Sequence, residues 1–250
     1  MPNSSFTGAD AIKKKSDLWW QADGPFWPLH KMNNWRLGYI IEHICANCGE
    51  NDAQNIQSTT PLAGLKILDV GCGGGLLSEA LHQKGATVVG IDPIENNINV
   101  AQHHAAQMGV TIDYRVATAA QLAKQQETFD ITIGMEVIEH IANQQQFVSH
   151  MASMTKPQGL VFLSTINRTV PALLFAKFAA EYILKILPKG THKWREFVKP
   201  SEMQNYLHHA SCSPLHTQGV RLNPFKRQFS YTQRTPMNYM MVAQKKATPR

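Results

Sequence analysis

No run of apolar residues in this 250-residue chain reaches the roughly 20 that a helix needs to cross a bilayer. Residues 1–18 hold no apolar h-region, and no arginine occurs before Arg36. Neither a secretory signal nor an Arg-rich transit peptide is therefore expected, and a bacterial-type cytosol is the default location. Cysteine is scarce, with four in the chain. Cys45 and Cys48 form one C-x-x-C inside a predicted helix, the spacing of a redox pair or half a zinc site. No second C-x-x-C completes a zinc knuckle, so incidental thiols in a reduced compartment are the better account. Internal repeats and low-complexity tracts are also missing. Charged residues make up only 17% of the chain against 43% hydrophobic, the balance of a folded protein.

At this length one large α/β domain is the simplest organisation. The formal net charge is +6 and the sequence pI about 9.1. That balance favours an anionic partner, either nucleic acid or an anionic membrane surface.

Residues 33–47 are predicted as a helix and 48–61 as a polar linker. Strand–helix alternation follows: strands over Leu65 to Val70, Thr87 to Ile91, Thr111 to Val116, Phe129 to Gly134 and Leu160 to Thr165, with helices over Leu76 to Lys84 and 95–108. Such spacing predicts parallel βαβ units and a sheet covered on both faces. Leu215 to Val220 and Tyr239 to Ala243 are expected to close the sheet.

The most specific feature is Ile67-Leu68-Asp69-Val70-Gly71-Cys72-Gly73-Gly74-Gly75, a buried strand running into glycines and a helix. Glycine suits a tight turn that a ligand must approach closely. The N–H groups at the following helix start favour negative charge. The dinucleotide fingerprint G-x-G-x-x-G would require glycine at position 76 or 78, where Leu76 and Ser78 stand. Asp92 ends the second strand, at the point from which a carboxylate accepts from both ribose hydroxyls.

L-D-V-G-C-G-G-G with G-I-D, ending at Asp92, resembles the first motif and acidic partner of class I methyltransferases. The likeness extends into one subfamily. Trp19-Trp20, Gly24-Pro25-Phe26, Asn33 and Arg36-Leu37-Gly38-Tyr39-Ile40 look like the N-terminal signature of ubiquinone biosynthesis O-methyltransferases. So do Met135-Glu136-Val137-Ile138-Glu139-His140, Ser164-Thr165-Ile166-Asn167-Arg168 and Pro188-Lys189-Gly190-Thr191-His192. Resemblance covers roughly residues 17–210, and the last forty or so match only loosely.

That resemblance implies a Rossmann-like α/β fold with a mostly parallel seven-stranded sheet and helices on both faces. It also implies a single domain: an N-terminal helical lid and linker over 1–60, a cofactor-binding core over 65–167, a helical insertion over 168–195 and the rest of the sheet over 196–250. S-adenosylmethionine is the implied cofactor, held by Gly71, Gly73 and Asp92. Arg36 would pair with its methionine carboxylate, as guanidinium suits, the alternative being a surface helix cation. Met135 would lie against the adenosyl group. Four of the five tryptophans (Trp19, Trp20, Trp27 and Trp35) precede residue 36, as a lid over the pocket or plain packing against the sheet would require.

Glu136, Glu139 and His140 stand at i, i+3 and i+4, so a helical turn would place them on one face. Two carboxylates and an imidazole suit Mg²⁺ or another divalent cation. A phenol, with pKa about 10, is a poor nucleophile at neutral pH. Such a cation would stabilise the phenolate of a catechol; alternatively His140 acts as general base, or the cluster is structural.

In residues 171–187 the only charges are Lys177, Glu181 and Lys185, four apart, and Arg168, Lys189, Lys193 and Arg195 flank the segment. A wide apolar face with basic edges is what an interfacial helix needs on an anionic membrane. Burial in the domain or in a dimer interface is the competing account. The strand-four motif Gly134-Met135-Glu136-Val137 is not the Asn/Asp-Pro-Pro-aromatic signature of base-modifying enzymes, and nucleic acid is not expected as a partner. The reading is an O-methyltransferase acting on a polyprenyl phenol or quinol, cytoplasmic and peripheral to the inner face of the membrane, in company with other proteins of ubiquinone assembly.

Overall fold

The computed structural model describes residues 16–24, 26–47, 58–169, 172, 196–223 and 228–247. Eight strands form one sheet: β1 (Lys66–Val70), β2 (Thr87–Asp92), β3 (Asp113–Val116), β4 (Phe129–Met135), β5 (Thr155–Ile166), β6 (Cys212–Asn223), β7 (Gln228–Thr232) and β8 (Asn238–Lys245). Their order is β3-β2-β1-β4-β5-β8-β6-β7. The first five are parallel neighbours, and β8, β6 and β7 add antiparallel pairs.

The expected seven strands become eight. Gln228–Thr232 pairs antiparallel with β6, Gly219 opposite Thr232 and Val220 opposite Tyr231. The basic residues of 221–234 obscure a short polar–apolar alternation there, which is a strand signal. Alternation also explains the two-sided core. Leu68 and Val70 of β1 pack with Phe147, Val148 and Met151 on one face. Ile67 packs with Tyr39, Ile40, Ile44, Leu77 and Leu81 on the other. Each such fully buried aliphatic or aromatic side chain contributes about 1.5–3 kcal/mol.

The helices are α1 (Trp27–Asn47), α2 (Leu76–Gln83), α3 (Glu95–Met108), α4 (Ala119–Ala123), α5 (Gln144–Met154) and α6 (Pro200–His209). Helix α1 begins six residues before the expected 33–47, because Trp27 and Met32 also pack on the apolar cluster beneath it. In α4 a reciprocal capping box between Thr118 and Gln121 stabilises a helix of five residues. Strand order reverses between β1 and β4, so a crevice opens at their C-terminal ends, where an open α/β sheet binds its ligand.

Among the described residues no helix is long and apolar enough to cross a membrane. Residues 173–195 and Cys48 lie outside the described part, and with them Lys177, Glu181, Lys185 and most of the expected insertion. Arg168 is described: its guanidinium donates to Phe197 O at 2.8 Å and to both oxygens of Glu202 at 2.9 and 3.1 Å, so it braces α6.

Candidate active site

The glycine loop is fastened to β2 at its start, where Gly71 N and Cys72 N both donate to Ile91 O, at 2.7 and 3.0 Å. Gly71 has φ +73°, and a Cβ there would stand 2.4 Å from Val137 Cγ2. The turn after β1 thus touches the turn after β4 with no room between them. Gly73, at φ +55°, carries the Trp19 ring, whose Cη2 would be 3.0 Å from an added Cβ. Trp19 stacks on Phe26 with centroids 4.5 Å apart, and His30 Nε2 bonds its carbonyl at 2.8 Å. Asn33 Nδ2 donates to Leu76 O at 3.1 Å, tying α1 to the first turn of α2.

Asp92 closes β2 and is 6% exposed. Its Oδ2 accepts from Gly73 N at 3.1 Å, and its Oδ1 from Ile94 N at 2.8 Å and Asn97 Nδ2 at 3.3 Å. A carboxylate offers about four lone-pair sites, so one acceptor site, on Oδ2, is left for a hydroxyl while the loop is held. Asp69, on the loop's incoming strand, accepts from Ser78 Oγ at 2.6 Å. Burial pushes its carboxyl up to about 6, opposed by the Ser78 bond and by Arg36.

Arg36 is no surface cation. Only 7% of it is exposed, its Nη2 lies 3.3 Å from Glu136 Oε1, and its buried Nε and Nη2 have no hydrogen-bond partner. A desolvated guanidinium with unmatched N–H groups is costly unless an anion meets it. Glu136 meets part of that need, and the Nε N–H has room for a second anion such as a ligand carboxylate. Met135 ends β4 and joins the apolar cluster beneath α1.

Beside the glycine loop an open cavity of about 270 Å³ is lined by Val70, Gly71, Pro93, Thr118, Val137 and Phe147, among others. Its walls are mostly apolar, as a flat nucleobase requires. The sequence singled out only Gly71 in this wall. Thr118 and Pro93 follow the ends of β3 and β2, and their shared place at the C-terminal edge of a parallel sheet was the available signal.

The expectation that Glu136, Glu139 and His140 share a helical face is corrected. Glu136 follows β4 in the left-handed region, with φ +57°, and only Ile138–His140 form a single 3₁₀ turn. The Glu136 charge still acts on both Glu139 and His140. Glu136 accepts from Ser164 Oγ at 2.6 Å and from Asn238 Nδ2 at 2.9 Å to each oxygen. Glu139 is 2% exposed and accepts from Thr165 Oγ1 at 2.9 Å. Its burial, and then the Glu136 charge, push its carboxyl up to about 8. His140 lies at the exposed rim, where desolvation of part of its ring lowers its pKa against Glu136 and Glu196. Among the described residues no three His, Cys, Asp or Glu side chains are arranged to hold a metal ion. Glu136 already has three partners in this arrangement, Ser164, Asn238 and Arg36.

The family described as a methyltransferase domain matches residues 42–216. The ubiquinone biosynthesis O-methyltransferase of Rhizobium etli is 46% identical over 229 residues, spanning 92% of this chain and 91% of its own. That of Agrobacterium fabrum is 45% identical over 238 residues, spanning 95% and 94%. Among solved structures, the magnesium protoporphyrin IX methyltransferase of Synechocystis with bound SAH matches with a TM-score of 0.61 at 19% identity, covering 95% of this chain and 94% of that one, a likeness of fold. The glycine loop, the acid at the end of β2 and these relatives together place the chain in the family of ubiquinone biosynthesis O-methyltransferases, S-adenosylmethionine-dependent enzymes of Rossmann-like fold.

Proposed function

We propose that the protein methylates a phenolic hydroxyl of a polyprenylated catechol, or of the corresponding demethylubiquinol, during ubiquinone assembly. The observation that carries this reading is the buried Arg36 guanidinium, ion-paired with Glu136 and near Asp69, yet with Nε and Nη2 making no hydrogen bond. It supplies an anion site where the cofactor's methionine end and the acceptor must meet, and the names of relatives over 40% identical supply the acceptor class.

When bound, S-adenosylmethionine supplies a methyl group on positively charged sulfur. Arg36 holds its carboxylate, Asp92 accepts from a ribose hydroxyl, and the backbone of Gly71 and Gly73 allows close approach. Met135 and the apolar cavity wall exclude water from the adenosyl group. A phenol of pKa about 10 needs its proton removed as the oxygen attacks. His140, whose surroundings favour the neutral imidazole, takes that proton.

A polyprenyl tail would bring the enzyme to a membrane surface. The apolar segment 171–187 with its basic flanks, read from sequence, supports a peripheral contact there and a cytoplasmic location facing the membrane. Sedimentation with anionic vesicles, and its loss in a Leu174→Asp/Phe178→Asp variant that still folds, tests that part. Incubation with labelled S-adenosylmethionine and a short-chain demethylubiquinol tests the reaction.

A further inference from the structure

We infer that Asn238 is a specificity-determining residue of the acceptor site: its amide nitrogen is committed to Glu136, and its amide oxygen receives the second hydroxyl of a catechol. The inference rests on the methyl-transfer reading above and adds to it why the acceptor should carry two adjacent hydroxyls.

Asn238 opens β8, opposite Ile166 of β5 and Val220 of β6. Its Nδ2 lies 2.9 Å from each oxygen of Glu136. A carboxylate offers only acceptors, so the amide must turn its nitrogen toward Glu136 and its oxygen away. That oxygen, Oδ1, is buried and has no hydrogen-bond partner. Buried amide oxygens in folded proteins are nearly always satisfied, so one left open marks a place for a donor.

The setting narrows the donor. On the same carboxylate Ser164 Oγ donates at 2.6 Å and Arg36 Nη2 stands at 3.3 Å. Glu136 holds a left-handed φ of +57°, a conformation that persists in a non-glycine residue when its surroundings over-determine it. Its backbone N–H supplies that constraint by donating to Ser164 O at 3.1 Å and Ser164 Oγ at 3.2 Å. Three strand ends, β4, β5 and β8, thus fix the carboxylate and leave one acceptor open beside it. An amide oxygen only accepts, so the group that fits it is an O–H or N–H donor. A ring with one hydroxyl to be methylated and a neighbour to be held supplies that donor.

The test compares a water-soluble catechol with the matched phenol lacking the second hydroxyl, in the full-length wild type and in Asn238→Ala. The wild type should prefer the catechol in kcat/KM by tenfold or more. In the variant KM for the catechol should rise about tenfold, as loss of one buried hydrogen bond to a ligand implies, and the preference should collapse toward one. KM and Kd for S-adenosylmethionine should stay within about twofold, a readout that a merely structural role would not spare. If Asn238→Ala fails to fold, Asn238→Ser, which keeps a small polar side chain on the strand, carries the same expectation. An unchanged catechol KM and preference in a variant that binds the cofactor normally would overturn the inference alone. A parallel loss of cofactor binding would overturn it too, making Asn238 part of the scaffold. Wild type that binds the cofactor yet methylates neither ring would sink the inference and the proposed function together.

Discussion

Arg36 Nη2 and Glu136 Oε1 lie 3.3 Å apart, joining the first long helix to the turn after the fourth strand across the crevice of the sheet. Glu136 is fully engaged by Ser164 and Asn238, whereas Arg36 keeps two nitrogens without hydrogen-bond partners. On the proposed function, the Arg36 Nε that Glu136 leaves unbonded meets the cofactor's carboxylate. Arg36→Ala should weaken S-adenosylmethionine binding by about 1.5–3 kcal/mol, roughly ten- to a hundredfold, the worth of a charge-assisted hydrogen bond. Arg36→Lys should recover only part of it, because an ammonium cannot make the paired contact. Calorimetric titration decides, and equal affinities would remove Arg36 from the cofactor site.

Contact between Gly71 and Val137 gives a second prediction. Gly71→Ala places a methyl group 2.4 Å from Val137 Cγ2 at φ +73°. Thermal unfolding should show a loss of about 1–3 kcal/mol, and cofactor affinity should fall with it. Val137→Ala in the same chain should restore part of the affinity by opening the space. A Gly71→Ala variant as stable and as tight-binding as wild type would mean the two turns do not meet.

For the base, His140→Ala should lower kcat by about 10²–10⁴-fold while leaving the Kd for S-adenosylmethionine unchanged, the usual contribution of a general base. Single-turnover measurements with saturating cofactor isolate that step. A full rate in the variant would return the deprotonation to another group.

Asp69 sets a pH dependence of stability. Burial raises its folded-state pKa to about 6 from an ordinary value of 3.8. Between those values the folded chain holds a proton that the unfolded chain has released, so this group's contribution falls as pH rises from about 4 to 6 and is level above. Two units correspond to roughly 3 kcal/mol. Denaturant melts across that window should show the decline in wild type and a flatter profile in Asp69→Asn, where the neutral amide oxygen still accepts from Ser78. Parallel profiles would show that Asp69 is ionised throughout.

The parallel half of the fold was legible because buried strands and glycine turns are local signals: helix α3 runs from Glu95 to Met108 as the pattern predicts, and β2 differs from its expected span by the one residue Asp92. Strand β7 was missed because its partner β6 is needed to reveal it, and its neighbours are basic rather than apolar. At the site, the glycine loop and Asp92 come together as their spacing predicts, Asp92 Oδ2 accepting from Gly73 N. The i, i+3, i+4 reading of Glu136, Glu139 and His140 failed because it assumed a helix where the backbone turns left-handed at Glu136. Asn238 stood more than a hundred residues from Glu136 and carried no motif, so only tertiary packing exposes it.

The central claim is tested most directly by giving the purified protein methyl-labelled S-adenosylmethionine and a short-chain demethylubiquinol, then locating the label in the product by mass spectrometry and NMR. Label on a ring oxygen as a methyl ether, with one equivalent of S-adenosylhomocysteine released, is the predicted result. Tight cofactor binding with no label on the quinol, or label on a carbon or nitrogen acceptor instead, would contradict it.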